Sequence, residues 1–143
     1  MSGYSGTPLA KKLGIRAGDR VFLHAPPPHY AELLAPLPPG VLMPAPAAGA
    51  ADLLHVFATE RAVLGKLLKQ LRIRMRPDAA LWVSWPKKAS GVSTDITEDT
   101  IRALALPLGL VDIKVCAVDD TWSGLKLMVR RSERPARRAA RRA

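Results

Sequence analysis

Cys116 is the only cysteine in the 143-residue chain. An intrachain disulfide is therefore excluded, as is a structural zinc site built on several thiolates. Flanked by Val115 and Ala117, it reads as a small hydrophobe on a buried strand. No apolar run approaches the roughly 20 residues needed to span a bilayer. The start, Met1 to Pro8, has neither the basic nor the apolar region of a secretory signal. These absences predict a cytoplasmic protein with no membrane contact. The three histidines, His24, His29 and His55, have no cysteine or aspartate at metal-ligand spacing, so no metal is predicted. No serine stands in a Gly-x-Ser-x-Gly elbow.

Charge and proline are unevenly distributed. The net charge is +10, but seven arginines and one acid lie from Arg130 onward. That stretch carries +6 and leaves +4 for residues 1–129. It consists of Arg130, Arg131, Arg134, Arg137, Arg138, Arg141 and Arg142 among alanines, without an apolar face. This predicts a single domain over 1–129 and a disordered tail over 130–143 with nonspecific affinity for nucleic acid. The prolines cluster between Pro26 and Pro46, where little regular structure is expected.

Patterning predicts alternating helices and strands. Thr7 and Pro8 look like a cap and first helical residue before Leu9, Leu13 and Ile15. A strand follows over Arg20–His24, then a short helix from Tyr30 to Leu37. Val41–Met43 reads as a minimal edge strand between prolines. A stronger strand spans Asp52–Phe57. Thr59 is placed to cap a helix whose apolar face is Val63, Leu64, Leu67, Leu68 and Leu71; its opposite face holds Arg61, Lys66, Lys69 and Arg72 and reads as solvated. Ala80–Trp85 is the next strand. Asp95 and Glu98 stand at capping-box spacing before a helix ending at Leu108. The strands Leu110–Val118 and Leu125–Val129 are joined by a loop short enough to force antiparallel pairing. The fold class predicted is α/β: a three-layer, mostly parallel, Rossmann-like sheet with an antiparallel last strand.

The passage from Leu71 through Met75-Arg76-Pro77-Asp78-Ala79 to Trp85, with the terminal pair Leu110–Val129, resembles the back half of class I methyltransferases. The resemblance covers roughly 52–129 and implies a reduced form of their scaffold. Tyr4 to Ile15, Trp82-Val83-Ser84-Trp85-Pro86-Lys87-Lys88 and Thr121 to Lys126 are similar to a bacterial family of domains of unknown function, which implies no activity. A methyltransferase cofactor site needs a glycine-rich turn after the first strand and an acid after the second. His24-Ala25-Pro26-Pro27-Pro28 and Pro44-Ala45-Pro46 stand there instead. No cofactor is predicted, and S-adenosylmethionine least of all.

In open parallel sheets a ligand sits beyond the carboxyl ends of the strands. The candidates there are His24, Trp85, Lys87, Lys88, Ser90, Ser93, Thr94, Asp119 and Trp122. The stretch from Trp85 to Thr94 suits an anion, with two lysines and three hydroxyls before a helix. The competing reading is a solvent-facing loop whose Ser93, Thr94 or Asp95 caps that helix. Asp119 and Asp120 are turn residues or partners for the lysines. His24 is the histidine placed for a general base, against a hydrogen-bonded structural role. The expected function is a non-catalytic or regulatory binding domain, taking a small anionic ligand or a protein partner. An enzyme of unidentified reaction at the same edge and a nucleic-acid-associated protein are the alternatives.

Overall fold

Five strands form one mixed sheet in the computed structural model, which describes residues 7–133. They are β1 (Val21–His24), β2 (Leu53–Phe57), β3 (Ala80–Pro86), β4 (Leu110–Ala117) and β5 (Trp122–Val129). Their spatial order is β1-β2-β3-β5-β4. The first three are parallel, and β5 runs antiparallel between β3 and β4. The predicted α/β class and antiparallel last strand are both present. The tail beyond Glu133 lies outside the described residues.

Alternation along the strands separates two cores. Leu53, Phe57 and Trp82 face α1 (Leu9–Leu13) and α2 (Tyr30–Leu34). Leu54, Val56, Leu81, Val83 and Trp85 face α3 (Arg61–Arg74) and α4 (Glu98–Ala105). The α3 face is the larger: Leu64, Leu68 and Leu71 reach it from α3, Ile101 and Ala105 from α4. Val63, expected to pack, is 49% exposed because the helix turns that position to solvent. Cys116 is half-buried rather than enclosed.

Several boundaries move for local reasons. Val41–Met43 is not a strand; Leu42 makes one parallel bridge with Arg20. Beyond it, the Ala45 N–H bonds the Val21 carbonyl at 2.7 Å, and the chain passes to the α3 side through a single helical turn, Ala48–Ala50. Ala45, Ala48 and Ala51 are buried there. A Cβ on Gly49 would lie 3.1 Å from the Arg74 carbonyl oxygen. Small residues thus let a strap replace a crossover helix. The first helix begins at Leu9 with Pro8 as its cap residue, and Thr7 does not cap it. It stops at Leu13, and α2 stops at Leu34, short of the expected Leu37.

The caps are also exchanged. Glu60, not Thr59, precedes α3, and the Arg61 N–H is capped from a distance by Asp95 Oδ1 at 2.6 Å. Asp95 therefore leaves α4 to Thr97, whose hydroxyl accepts the Thr100 N–H at 3.1 Å. β5 starts at Trp122, earlier than Leu125, which lengthens the hairpin.

The β3–β5 register places Ser84 opposite Gly124 and Trp82 opposite Lys126. Trp82 is fully buried, and its indole N–H donates to the Leu13 carbonyl at 2.9 Å, fastening the end of α1 to the sheet. Gly124 makes this possible, since a Cβ there would lie 3.2 Å from Trp82 Cε3 and 3.4 Å from Ser84 Oγ. Gly124→Ala is expected to destabilise the domain by about 1–3 kcal/mol through overpacking. Urea unfolding measures it, and an unchanged midpoint would contradict this account of the contact.

Candidate functional site

The carboxyl ends of β1, β2 and β3 and the start of β5 meet at one edge of the sheet. β1 delivers His24, half-buried, and then turns sharply. Ala25 adopts φ 53°, in the left-handed region where a side chain is disfavoured. The three prolines follow, and the Tyr30 N–H closes back on the Pro27 carbonyl at 3.0 Å. This tight turn drops α2 onto the sheet beside β2.

What α2 delivers is a buried polar chain. The Tyr30 hydroxyl lies 2.7 Å from His55 Nδ1, and His55 Nε2 lies 2.7 Å from Ser84 Oγ. His55 and Ser84 are wholly buried and Tyr30 nearly so. Burial pushes the imidazole down from 6.5 to about 3, and it pushes the Tyr30 phenol up. A neutral imidazole donates through one nitrogen and accepts through the other, so the chain has a single direction. The rings of His55 and Phe57 stack at 4.3 Å, while Tyr30 and Trp122 meet Phe57 edge-on at 5.5 and 5.1 Å. Aromatic side chains thus fill the α2 side of the carboxyl edge.

A second polar group lies nearer the surface. His29 Nε2 is 3.0 Å from Asp119 Oδ2, with the imidazole half-exposed and the carboxylate buried. Asp119 Oδ1 accepts the N–H groups of Thr121 and Trp122 at 2.9 and 2.8 Å. Burial alone would raise this carboxyl. The His29 hydrogen bond and the two backbone donors outweigh that and hold it below the ordinary aspartate value. Asp119 is therefore more than a turn residue: it joins the β4–β5 connection to the start of α2. His29 was not among the candidate residues, whereas the side chain of His24 makes no hydrogen bond or ion pair among the described residues.

The lysine loop is organised mostly by itself. Ser90 Oγ donates to the Lys87 carbonyl at 2.6 Å and accepts the Val92 N–H at 3.1 Å. Thr94 Oγ1 donates to the Thr59 carbonyl at 2.7 Å and accepts the Ile96 N–H. The Lys87 N–H bonds the Thr121 carbonyl at 2.7 Å, tying this loop to the Asp119 turn. Lys88 and Ser93 are exposed, Trp85 is buried in the α3-side core and Trp122 is half-buried. Two of the three hydroxyls expected to face an anion thus hold the loop together. None of the helix caps expected of this loop forms on α4. No group of three or more metal-ligating side chains occurs among the described residues, and no helix there is long and apolar enough to cross a membrane.

Neither family models nor curated protein sequences match this chain. Solved structures do. A SAM-dependent methyltransferase from Aquifex aeolicus superposes with a TM-score of 0.60 at 13% identity, covering 85% of this chain and 87% of that one. The scaffold is methyltransferase-like. A tRNA methyltransferase from B. subtilis gives a TM-score of 0.53 at 10% identity over 90% of this chain and 68% of that one. LepI, solved with SAM, gives 0.51 at 15% identity, and this chain spans only 39% of its length.

His55 gives the site a pH signature. Its folded value of about 3 lies below the unfolded 6.5, so at acid pH the unfolded chain takes a proton that the folded one refuses. Stability is unaffected by this group above pH 6.5 and should fall by about 1.4 kcal/mol per pH unit below it, down to pH 3. His55→Gln should lower stability at pH 7 yet flatten the slope between pH 6 and pH 4. Chemical denaturation across that range measures both, and equal slopes in parent and variant would contradict the assignment.

Proposed function

We propose that this domain is a non-catalytic binding module on a methyltransferase-like scaffold, working without S-adenosylmethionine. The turn after β1 carries the reading. Cofactor binding there needs glycine so that backbone N–H groups approach the ligand. Ala25 keeps its Cβ in a left-handed conformation, Pro26, Pro27 and Pro28 offer no N–H, and the Tyr30 N–H is turned inward to Pro27. On the other side of β1 from β2, where the methyltransferase resemblance implies a further parallel strand carrying an acid at its end, only the one-residue bridge at Leu42 forms, and Pro44 follows it. The residues present do not fit the cofactor. The edge leaves Lys88 and Ser93 exposed, with Lys87 and Trp122 half-buried beside them, as its surface for a small anion or a protein partner.

A second reading is favoured by one observation, the His29–Asp119 pair. A half-exposed imidazole oriented by a buried carboxylate is the arrangement a general base uses. An enzyme of that kind would use His29 rather than His24. Any turnover found in a substrate screen would then vanish in His29→Ala and survive replacement of the tail arginines.

Thermal unfolding with S-adenosylmethionine or S-adenosylhomocysteine tests the main proposal. A ligand at about a hundredfold excess over its Kd adds about 2.7 kcal/mol to stability and would raise Tm by roughly 5–10 °C. The expected result is no shift with either compound. A saturable rise in Tm with either would overturn the proposal.

A further inference from the structure

The opposite side of the molecule holds a groove between α3 and α4. Its volume is about 420 Å³, and Ala62, Gly65, Leu104 and Leu108 form its floor. A Cβ at Gly65 would make ordinary contact with Leu104 Cδ2, at 3.5 Å. Arg61, Lys66 and Lys69 form its rim, and all three are exposed.

Four arginines elsewhere in the domain are neutralised by acids. Arg76 pairs with Asp52 and Asp78, and Arg102 with Glu98, Asp99 and Asp112. Arg72 and Arg130 share Glu133. The side chains of Arg61, Lys66 and Lys69 make no ion pair among the described residues. Asp95, the one acid in the groove, is occupied by the Arg61 N–H. It lies with Glu60 at the carboxyl-edge end, so the basic row runs away from both. From Arg61 to Lys69 the helix rises about 12 Å, the axial length of three or four nucleotides in a duplex strand.

The far end of α3 meets the last described residues. Glu133 Oε1 accepts from Arg72 at 3.3 Å, and Arg72 also donates to the Leu108 carbonyl at 2.8 Å. The chain therefore leaves the described region beside the groove wall. Five more arginines and no acid follow: Arg134, Arg137, Arg138, Arg141 and Arg142. With no aromatic or aliphatic anchor beyond alanine and proline, what that segment shares with the groove rim is positive charge. An amphipathic protein partner would use the groove floor but gain nothing from the tail. A long polyanion uses both.

We propose that the α3–α4 groove, rimmed by Arg61, Lys66 and Lys69, docks the phosphodiester backbone of a nucleic acid. Binding of this kind is sequence-tolerant and releases counterions, so it weakens steeply with salt. The proposal is independent of the reading of the carboxyl edge, since Arg61, Lys66 and Lys69 are not among the residues that reading uses; Asp95 alone lies where the two meet.

The test uses the full chain and a labelled single-stranded RNA of about 30 nucleotides and mixed sequence, titrated by fluorescence anisotropy from about 50 to 200 mM salt. Four proteins are compared: the parent, Lys66→Gln/Lys69→Gln, one with the five tail arginines replaced by glutamine, and one carrying both sets of changes. Exposed Lys66 and Lys69 should leave Tm unchanged, which a melting curve checks. The groove variant is expected to bind about tenfold more weakly at low salt, with its log–log salt slope shallower by about 1.4. The tail variant should also weaken while remaining sensitive to the groove substitutions. Equal affinity and slope in parent and groove variant would overturn the proposal, because the tail would then act alone. So would no binding by the parent at about 50 mM salt, or displacement of the RNA by polyphosphate or anionic vesicles at lower phosphate concentration than by unlabelled RNA.

Discussion

A neutral imidazole in the middle of a sheet constrains much of this molecule. His55 is enclosed on every side, so both ring nitrogens must find partners within the protein. Ser84 supplies one from the neighbouring strand, at a distance the β2–β3 register sets. Tyr30 supplies the other, which requires α2 to lie directly over β2. Removing either partner would leave a buried polar atom unsatisfied, a cost of about 1–3 kcal/mol. The same requirement makes Gly124 necessary, since a side chain opposite Ser84 would crowd the serine and Trp82 together.

Once α2 is pinned, little freedom remains at the carboxyl edge. The chain must travel from the end of β1 to Tyr30 in five residues, and the prolines hold that turn stiff. The His29–Asp119 pair then links the start of α2 to the β4–β5 connection, and the Lys87–Thr121 bond links that connection to the lysine loop. These bonds hold one loop against the next. The fold is shared with methyltransferases, and a shared fold does not fix the site it carries.

Much of the architecture was legible because it rests on local patterns. Continuous apolar runs marked β1, β2 and β3, and helical spacing marked α3. The antiparallel end followed from loop length alone. The errors share a physical cause, which is competition among nearby polar residues. Asp95 and Thr97 both stand before α4, and only the folded chain shows that Asp95 is taken by the N-terminus of α3. The central polar chain was missed because its members are 25 and 29 residues apart. One signal was present: alternation puts His55 with Phe57 and Trp82 with Ser84 on the same face, so two polar residues shared an otherwise apolar surface. Nothing in spacing could show that Tyr30 completes the set.

The distribution of acids explains why the α3 face stays basic. Among the described residues, Asp52, Asp78, Glu98, Asp99, Asp112 and Glu133 are paired with Arg72, Arg76, Arg102 and Arg130. Asp95 and Asp119 are consumed as backbone acceptors. Few carboxylates are left to neutralise a row in the middle of a helix. A surface that only needed to be soluble could carry mixed signs at no cost to the core, since Arg61, Lys66 and Lys69 all point outward. An uncompensated row beside an open groove, with a chain of further arginines starting at its end, concentrates positive potential on one face. The fold therefore divides its polar groups: the His29, His55, Ser84, Ser90, Thr94 and Asp119 side chains of the carboxyl edge are tied into internal bonds, while the α3 face presents a row of exposed cations.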